Sequence, residues 1–249
     1  MYFTVIIPAR LKSTRLPNKV LLPINNKPMI EHVYESAQMS GAARIIVATD
    51  HQDIANWAKS LGVEMVMTDP AHQSGTTRIH EVVNKLNLDA KCPIVGVQAD
   101  EPAINPKLIQ ACAEKINAYK YDSLTMVTAA DALTNKKDWQ DDHTVKVVLN
   151  DADEALYFSR ASIGGDQIWE HANSPVMKHI GIYAYYPYFL EQYLSWPSCI
   201  LEKSERLEQL KALYHGTTIP VIRFLEETGF GVDTEDDYQK MCEYILNQK

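Results

Sequence analysis

The sequence predicts an α/β protein with a mostly parallel sheet that is covered by helices on both faces. Short apolar runs of strand type, such as 5–7, 44–48 and 93–97, alternate with segments whose apolar residues recur at helical spacing. Such alternation is typical of parallel sheets flanked by helices. Beyond about residue 131 the rhythm changes, because the runs 145–149 and 155–158 flank a short turn and are typical of antiparallel strands. We therefore expect an inserted antiparallel arm.

The elements of the first half follow from start and stop signals. After the strand at 5–7 and a polar loop, Pro28 stands in the first turn of a helix that Ser40 and Gly41 close. Thr49 or Asp50 can cap the helix after strand 44–48. The remaining elements are a helix end at Gly62, a strand at 63–67, a helix through Ile79, Val82, Val83 and Leu86, the strand at 93–97, a helix opened by Asn105 or Pro106, and a strand at 124–127.

The second half contains the arm and then a return to the regular rhythm. A run at 176–186 is expected as a further antiparallel strand or as part of the arm. A helix at 202–213, a strand at 219–224 and a last helix through Tyr238, Met241, Cys242 and Ile245 follow. Because no repeat or linker interrupts the pattern, we expect a single domain over 1–249 with an inserted subregion at about 131–200.

Composition excludes several classes of protein. The chain has 249 residues and a net charge of -8, which argues against a nucleic-acid-binding surface. No apolar run approaches the roughly 18 to 20 residues that cross a bilayer, and the first residues lack a signal-peptide pattern. We expect a cytoplasmic protein without membrane insertion. Four widely spaced cysteines form no C-x-x-C pair and predict neither a zinc ribbon nor a redox motif: Cys92, Cys112, Cys199 and Cys242.

The first strand runs into a basic loop that predicts a phosphate site. The carboxyl ends of parallel strands form the ligand-binding edge of open α/β sheets, and Pro8 and Pro17 stiffen this loop. An ordinary charged surface loop remains the alternative at this point. Neither G-x-x-x-x-G-K-[ST] nor G-x-G-x-x-G is present, so side-chain cations must hold the anion. These cations are Arg10, Lys12, Arg15 and Lys19.

Two aspartates are candidates for a magnesium site at the same edge. Asp100 follows the strand at 93–97, and Asp233 follows a glycine-containing turn. Mg²⁺ prefers a few carboxylate oxygens together with phosphate oxygens and water. Helix capping is the alternative role for both residues, and from spacing alone it is favoured for Asp233.

Segments in the same order along almost the whole chain closely resemble the bacterial CMP-Kdo synthetases, or 3-deoxy-manno-octulosonate cytidylyltransferases. They are Ile6-Ile7-Pro8-Ala9-Arg10, Ser13-Thr14-Arg15-Leu16-Pro17 with Lys19, Lys27-Pro28-Met29-Ile30, Ile46-Val47-Ala48-Thr49-Asp50, His72-Gln73-Ser74-Gly75-Thr76, Gln98 with Asp100-Glu101-Pro102, Val145-Lys146-Val147-Val148, Tyr157-Phe158-Ser159-Arg160, His179 with Gly181-Ile182-Tyr183, Leu207-Glu208-Gln209-Leu210 and Gly231-Val232-Asp233-Thr234.

The resemblance implies a nucleotidyltransferase-type Rossmann-like sheet, a homodimer, and a requirement for CTP and Mg²⁺. The 2-hydroxyl of a 3-deoxy-ulosonic acid would attack the α-phosphorus of CTP, giving a CMP-sugar for lipopolysaccharide core synthesis. The implied catalytic residues are Lys19, Arg15, Asp100 and Asp233, of which the two aspartates would hold the metal. The implied nucleotide site comprises Ala9, Arg10, Arg15, Lys19, Gly75, Arg78 and Gln98. The inserted subregion would serve sugar binding and dimerisation, and the implied sugar site comprises Arg160, His179, Tyr183, Glu205, Glu208 and Gln209.

Within this set, residue chemistry adds two expectations. The Arg160 guanidinium suits a sugar carboxylate, since it can form two parallel bonds, although a surface salt bridge is the alternative. Glu205 and Glu208 have i, i+3 spacing and are expected on one face of the helix at 202–213. A lone histidine such as His179 is otherwise more often structural.

The sequence departs from the family pattern at several positions. Asn18 and Ala99 stand where the family usually has glycine, and Thr77 stands where glutamate is usual. On the sugar side, Gly164 and Gly165 replace a proline and an aromatic residue that usually follow Ser-Arg-x-x-Ile, and Tyr186 stands where arginine is common. Two glycines open space and loosen the chain, which leads to the hypothesis that the acceptor is a modified acid such as 8-amino-Kdo.

Other functions remain open at this stage. A CMP-sialate synthetase would share the Arg, Leu-Pro and Lys elements, and a non-catalytic sugar-nucleotide-binding protein would keep the basic loop without turnover. The presence of both aspartates beside Lys19 disfavours the non-catalytic role. An NAD-dependent dehydrogenase would need the glycine fingerprint that the chain lacks.

Overall fold

In a computed structural model, which describes residues 2–13, 15–171 and 173–247, strands and helices alternate as the sequence predicts. The strands are β1 (Thr4–Ala9), β2 (Pro23–Ile24), β3 (Lys27–Pro28), β4 (Arg44–Thr49), β5 (Met65–Met67), β6 (Ile94–Gly96), β7 (Val127–Asp131), β8 (Lys146–Leu149), β9 (Ala155–Ser159), β10 (Val176–Tyr185) and β11 (Val221–Arg223). The helices are α1 (Met29–Met39), α2 (Gln52–Ser60), α3 (Gly75–Lys85), α4 (Pro106–Asn117), α5 (Lys136–Gln140), α6 (Pro187–Ser195), α7 (Ile200–Glu205), α8 (Gln209–Tyr214) and α9 (Glu235–Asn247).

The main sheet is mostly parallel, as predicted. Its strand order is β11-β7-β10-β6-β1-β4-β5. β1 lies parallel to β4 and β6, β5 is parallel to β4, and β11 is parallel to β7. Only parallel neighbours surround β1, so the carboxyl ends of β1, β4 and β6 reach one edge together.

Helices cover both faces of this sheet, which explains why β1 is buried along its whole length. Its alternate residues face opposite layers. Val5 and Ile7 belong to the core shared with α1, α2 and α4, whereas Ile6 belongs to the core shared with α3 and α6. This fully buried strand gives the loop that follows it a rigid origin. Among the described residues, no helix is both long and apolar enough to cross a membrane.

The inserted antiparallel arm is confirmed, but the extent of the strand at 176–186 differs from the prediction. β10 pairs with β8 through its first three residues, and β8 pairs with β9. Its later residues enter the main sheet between β6 and β7, antiparallel to both. The strand is antiparallel throughout, as expected, but only its first part belongs to the arm, because a ten-residue strand is long enough to serve both regions.

Several element boundaries also differ. The helix expected at 202–213 is two helices, α7 and α8, because Arg206 adopts a left-handed conformation with φ 56° and ends α7. The strand expected at 124–127 begins only at Val127, as β7, and runs through buried small residues to Asp131. The cap of α2 is His51 rather than Thr49 or Asp50, since its ring nitrogen accepts from the Asp53 amide.

Candidate functional site

A cleft of about 610 Å³ opens at the carboxyl ends of β1 and β6. The basic loop forms one wall and the N-terminal part of α3 another, while the segments after β6 and before α9 close the floor. Of the residues assigned to the nucleotide and the metal, those that line the cleft are Arg10, Arg15, Lys19, Gly75, Arg78, Gln98, Asp100 and Asp233. Ala9 is buried in β1 between two lining residues, and Thr14 lies outside the described residues.

Lys19 lies at the centre of this cleft and joins the two aspartates. Its Nζ donates to Asp100 Oδ2 at 2.5 Å, to Asp233 Oδ1 at 2.9 Å and to the Val232 carbonyl at 3.0 Å. The aspartates come from segments 133 residues apart, which a backbone hydrogen bond from Val232 N to the Asp100 carbonyl holds together at 2.9 Å. The structure therefore brings the basic loop and both carboxylates to one point.

The charges at this point stabilise one another. Burial acts to lower the pKa of Lys19, but the adjacent carboxylates, Asp100 first, outweigh burial and raise the pKa. Burial likewise acts to raise the pKa of Asp233, but Lys19 and then Arg15 hold that pKa below its ordinary value. Lys19 and Asp233 are therefore both charged near neutral pH.

Glu101 is a third acid beside this pair, and the sequence analysis assigned it no role. Its Oε1 would lie 3.2 Å from a Cβ placed on Gly231, so it packs against the turn that carries Asp233. Burial, together with the charges of Asp100 and Asp233, raises the pKa of Glu101 to about 8. Its position directly after Asp100 was the only sequence signal for it.

The cations of the loop differ in how far they are already paired. Arg15 Nη2 contacts Asp233 Oδ2 at 2.9 Å, and both side chains are about half exposed. Arg10 and Lys12 are exposed, and neither side chain bonds another described residue. Both also line the cleft, so their charges are available to an anion.

The N-terminus of α3 faces the same cleft. Ser74 caps it by accepting from the Thr77 amide at 3.3 Å. A Cβ on Gly75 would lie 3.2 Å from Pro8 Cγ and 3.3 Å from the Gln98 amide, so glycine permits this close approach. The positive end of the helix dipole therefore points towards the basic loop, which favours a bound anion.

Arg78, on α3, is buried and already held in place. It donates to Thr68 Oγ1 and, at 3.1 Å, to Asp50 Oδ2. Sequence analysis did not identify Asp50 as part of the site, although Asp50 directly follows β4 and Asp100 lies in the loop after β6. The carboxylate fixes the guanidinium, so Arg78 presents a preorganised edge to the cleft.

None of the six residues assigned to the sugar lines this cleft; they form two groups beside it. In the first, the His179 and Tyr183 rings lie 5.7 Å apart, and His179 Nε2 bonds Thr128 Oγ1 at 2.9 Å. Burial lowers the pKa of His179 to about 3, so the ring is neutral. Glu208 contributes to the raised pKa of Tyr183, which places it near the same group.

Glu208 and Gln209 carry buried polar atoms without partners among the described residues. These atoms are Glu208 Oε2 and Gln209 Nε2. Burial raises the pKa of Glu208, and the Ser74 and Thr76 hydroxyls beside it act in the opposite direction. Because Ser74 also lines the cleft, Glu208 connects the cleft with the group of His179 and Tyr183. Unpaired buried polar atoms of this kind fit a polar ligand.

The second group, Arg160 and Glu205, is bonded internally. The Glu205 carboxylate accepts from Ser159 Oγ at 2.8 Å and from Arg160 N at 2.9 Å. The expectation that Glu205 and Glu208 share one helical face was wrong, because the left-handed Arg206 separates α7 from α8. The surface salt bridge considered for Arg160 is not formed with any described residue, since its guanidinium contacts backbone carbonyls instead.

This fold, with its cation-lined strand ends and convergent carboxylates, is that of the nucleotidyltransferase class. The cytidylyltransferase family model matches residues 4–219. The 3-deoxy-manno-octulosonate cytidylyltransferase of Haemophilus ducreyi is 44% identical over 98% of both chains, and that of Coxiella burnetii is 43% identical over 98% of this chain and all of the relative. A solved CMP:2-keto-3-deoxy-manno-octonic acid synthetase in complex with CTP superimposes with a TM-score of 0.89 at 36% identity, covering 99% of this chain and all of that one.

A nucleotidyl transferase of Methanothermobacter shares the fold with a TM-score of 0.62 at 15% identity, covering 99% of both chains. The chain is an enzyme and belongs to the 3-deoxy-manno-octulosonate cytidylyltransferase, or CMP-Kdo synthetase, family.

Proposed function

We propose that this enzyme activates an eight-carbon 3-deoxy-ulosonic acid with CTP, releasing pyrophosphate and a CMP-sugar for lipopolysaccharide core synthesis. The observation that carries the proposal is the meeting of Lys19, Asp100 and Asp233 at the centre of a basic cleft. The names of the full-length relatives support the choice of substrates. They do not favour a CMP-sialate synthetase or a non-catalytic sugar-nucleotide-binding protein.

In the proposed reaction, the sugar 2-hydroxyl oxygen forms a bond to the α-phosphorus and the bond from that phosphorus to the bridging oxygen of pyrophosphate breaks. The hydroxyl proton is released to water, and negative charge accumulates on the pyrophosphate. Arg10, Lys12 and Arg15 surround the cleft and neutralise that charge, while Lys19 is held in a fixed position for it. Prepositioned charges of this kind are the main source of acceleration in phosphoryl-type displacement.

The residues present fit Mg²⁺. Asp100 Oδ2 and Asp233 Oδ1 both lie within 3 Å of one atom, Lys19 Nζ, so the two carboxylates converge as ligands of one cation would. They are hard oxygen donors and leave room for phosphate oxygens and water. Asp100 and Asp233 would hold the ion, which when bound would supply further positive charge to the triphosphate.

The acceptor is proposed to be Kdo or its 8-amino derivative. Support for the amino sugar comes from Glu208, whose buried Oε2 lacks a partner among the described residues and suits an ammonium group. Gly165 opens space, as the sequence analysis expected, but Gly164 does not, because a Cβ there would lie 2.9 Å from Ile168 and 3.0 Å from Val176. By resemblance we also propose a homodimer that acts in the cytoplasm.

Pyrophosphate release with CTP, Mg²⁺ and a panel of acceptors tests the proposal. We expect release with Kdo or 8-amino-Kdo, little with a nine-carbon sialic acid and none without a sugar. The ratio of kcat/KM between the two eight-carbon acids assigns the acceptor, and a clear preference for plain Kdo would exclude the amino-sugar hypothesis. Release with sialic acid but neither eight-carbon acid would overturn the proposed function.

The metal assignment has its own controls. Asp100→Asn should raise the Mg²⁺ concentration that gives half-maximal rate. Asp122→Asn is the matched control, because Asp122 is exposed and its side chain bonds no described residue. Equal Mg²⁺ dependence of the two variants would remove Asp100 from the metal site. Analytical ultracentrifugation tests the proposed homodimer.

A further inference from the structure

Lys146 lies on β8, in a motif of the sequence to which the proposed reaction gives no task. Its side chain is completely buried. Nζ donates to three backbone carbonyls: Asp141 at 2.8 Å, Thr144 at 2.7 Å and Arg160 at 2.5 Å. An ammonium has three N–H donors, so this arrangement uses all of them and leaves none for a ligand.

A buried cation without a carboxylate partner is expensive, because the charged form loses its hydration. Burial accordingly lowers the pKa of Lys146. An apolar side chain in the same place would avoid that cost, but it would leave three carbonyl oxygens without their donor. The Lys146 ammonium connects the 141–144 loop with the end of β9. The hydrogen bonds between β8 and β9 do not join these two segments.

Both segments determine where Arg160 lies, because the end of β9 carries this residue and the 141–144 loop bonds its guanidinium. Its Nη1 donates to the Asp142 carbonyl at 3.0 Å, between the two loop carbonyls that Lys146 fixes. Its Nε donates to the Glu205 carbonyl at 3.1 Å, and the Glu205 carboxylate in turn accepts from Arg160 N and Ser159 Oγ. Two of the five guanidinium donors are therefore used for orientation, and both hydrogens of Nη2 have no partner among the described residues.

From this geometry we propose that Lys146 is a positioning residue that fixes the Arg160 guanidinium for the carboxylate of the sugar acid. Glu205 belongs to the same support, because both of its carboxylate oxygens are already bonded to the end of β9. Of Lys146, Glu205 and Arg160, only Arg160 then touches the substrate, and Lys146 acts through it. The inference rests on the proposed function, in which Arg160 binds the sugar acid.

The physical basis is the sensitivity of a two-bond carboxylate contact to misplacement. A guanidinium that grips a carboxylate with two parallel bonds needs a fixed plane, and a shift of about 1 Å in a positioned group can cost roughly a hundredfold in rate. Without Lys146, the 141–144 loop can move away from β9, and the Asp142 carbonyl would carry Nη1 with it. CTP binding, on the opposite side of β10, would not change.

Steady-state kinetics of Lys146→Met, which keeps the length of the side chain but removes its donors, tests the proposal. We expect KM for the sugar acid to rise at least tenfold and KM for CTP to stay within twofold of the wild type. Leu149→Ala is the matched control for lost stability, since Leu149 is a buried residue of the same strand. It should lower the melting temperature without raising KM for the sugar. If Leu149→Ala raises KM for the sugar as much as Lys146→Met does, or if Lys146→Met raises both KM values alike, Lys146 is merely structural and the proposal fails.

A double-mutant cycle separates action through Arg160 from a general effect on the arm. In an Arg160→Ala background, Lys146→Met should change KM for the sugar less than twofold, because the group that it positions is gone. Independent, multiplying effects would overturn the proposal. If Lys146→Met does not fold, Lys146→Gln retains two N–H donors and should give a smaller rise in the same constant; an unchanged KM in that variant also refutes the role.

Failure of the proposed function gives a different result. If the wild-type enzyme releases no pyrophosphate with any ulosonic acid, the reaction assignment is wrong, and these variants have no sugar KM to compare. If the wild type is active and the Lys146 variants keep its sugar KM, only the positioning role is lost.

Discussion

Lys19→Ala removes the ammonium that contacts both Asp100 and Asp233, and we expect it to damage turnover far more than folding. The loss of one prepositioned charge that faces the departing pyrophosphate should cost about 3 kcal/mol of transition-state stabilisation, or roughly a hundredfold in kcat. The structure supports a large value, because Lys19 is only 11% exposed and three oxygens fix its position.

The effect of the same substitution on stability is limited by solvent. Hydrogen bonds to charged groups contribute about 1.5 to 3 kcal/mol each when buried. Here, however, the Asp233 side chain is 50% exposed, so water screens its interaction and can replace the lost donor. We expect a net loss of about 2 kcal/mol in the free energy of unfolding, which leaves the protein folded at 25 °C.

The pH dependence of that loss has a definite sign. Because Lys19 and Arg15 hold the pKa of Asp233 below its unfolded value, their stabilisation is present above the unfolded pKa and is lost as pH falls through the folded pKa. The difference in stability between the wild type and Lys19→Ala should therefore shrink below about pH 4.

Pyrophosphate release at saturating substrates and urea denaturation measure the two quantities. Lys12→Ala is the control for loop charge, since Lys12 is an exposed cation of the same loop whose side chain bonds no described residue. It should leave stability within about 0.5 kcal/mol of the wild type. A folded Lys19→Ala enzyme whose kcat stays within threefold of the wild type would refute the reasoning.

Three further substitutions test local features. Asn18 has a φ of 57°, so Asn18→Ala should cost about 1 kcal/mol more than Asn18→Gly in urea denaturation, and equal costs would show that the left-handed conformation carries no strain. Gly229→Ala would place a Cβ in steric clash with the Ala103 Cβ, so we expect a loss of about 1 to 3 kcal/mol that Ala103→Gly partly restores; an unchanged melting temperature would contradict this. Burial lowers the pKa of His179 to about 3 in the folded protein, whereas the pKa is about 6.5 when the chain is unfolded. The unfolded chain therefore takes up a proton first, and the free energy of unfolding falls as pH falls from about 6.5 towards 3, by at most about 1.4 kcal/mol per pH unit. His179→Gln should flatten the stability profile between pH 7 and 5, and an identical slope in both proteins would show that His179 does not cause it.

The sheet could be predicted from the sequence wherever local pattern and final environment agree. The strand at 5–7 is apolar without alternation because both of its faces are covered, and that pattern is visible in the residues themselves. β10 was harder to predict. Its sequence indicates a strand, but it does not indicate that the first residues pair with β8 and the last with β6. The break between α7 and α8 carried no signal, because arginine rarely adopts a positive φ.

Some residues of the site could also be predicted from the sequence, and others could not. Asp100 was predictable because it lies four residues after the end of a parallel strand, and the convergence of Asp100 with Lys19 follows from the rule that such strand ends share one edge. Asp233 lies after a turn, so only the resemblance distinguished it from a helix cap. The Lys146 contacts could not be predicted, because they join side chain to backbone across segments whose approach depends on the folded arm.

The two sides of the site are supported by different interactions, and this difference bears on how each would respond to damage. The nucleotide side is built on β1 and β6, whose residues are buried in a core that covers both faces of the sheet. The Arg160 part of the sugar side is held by polar contacts at the edge of the arm, where β9 pairs with β8 alone among the described strands. Edge segments open locally at a lower free energy than core strands. If Arg160 binds the sugar acid as proposed, sugar recognition depends more strongly on a few hydrogen bonds. The three contacts of the buried Lys146 ammonium then offset the free energy of its desolvation by holding that region in place.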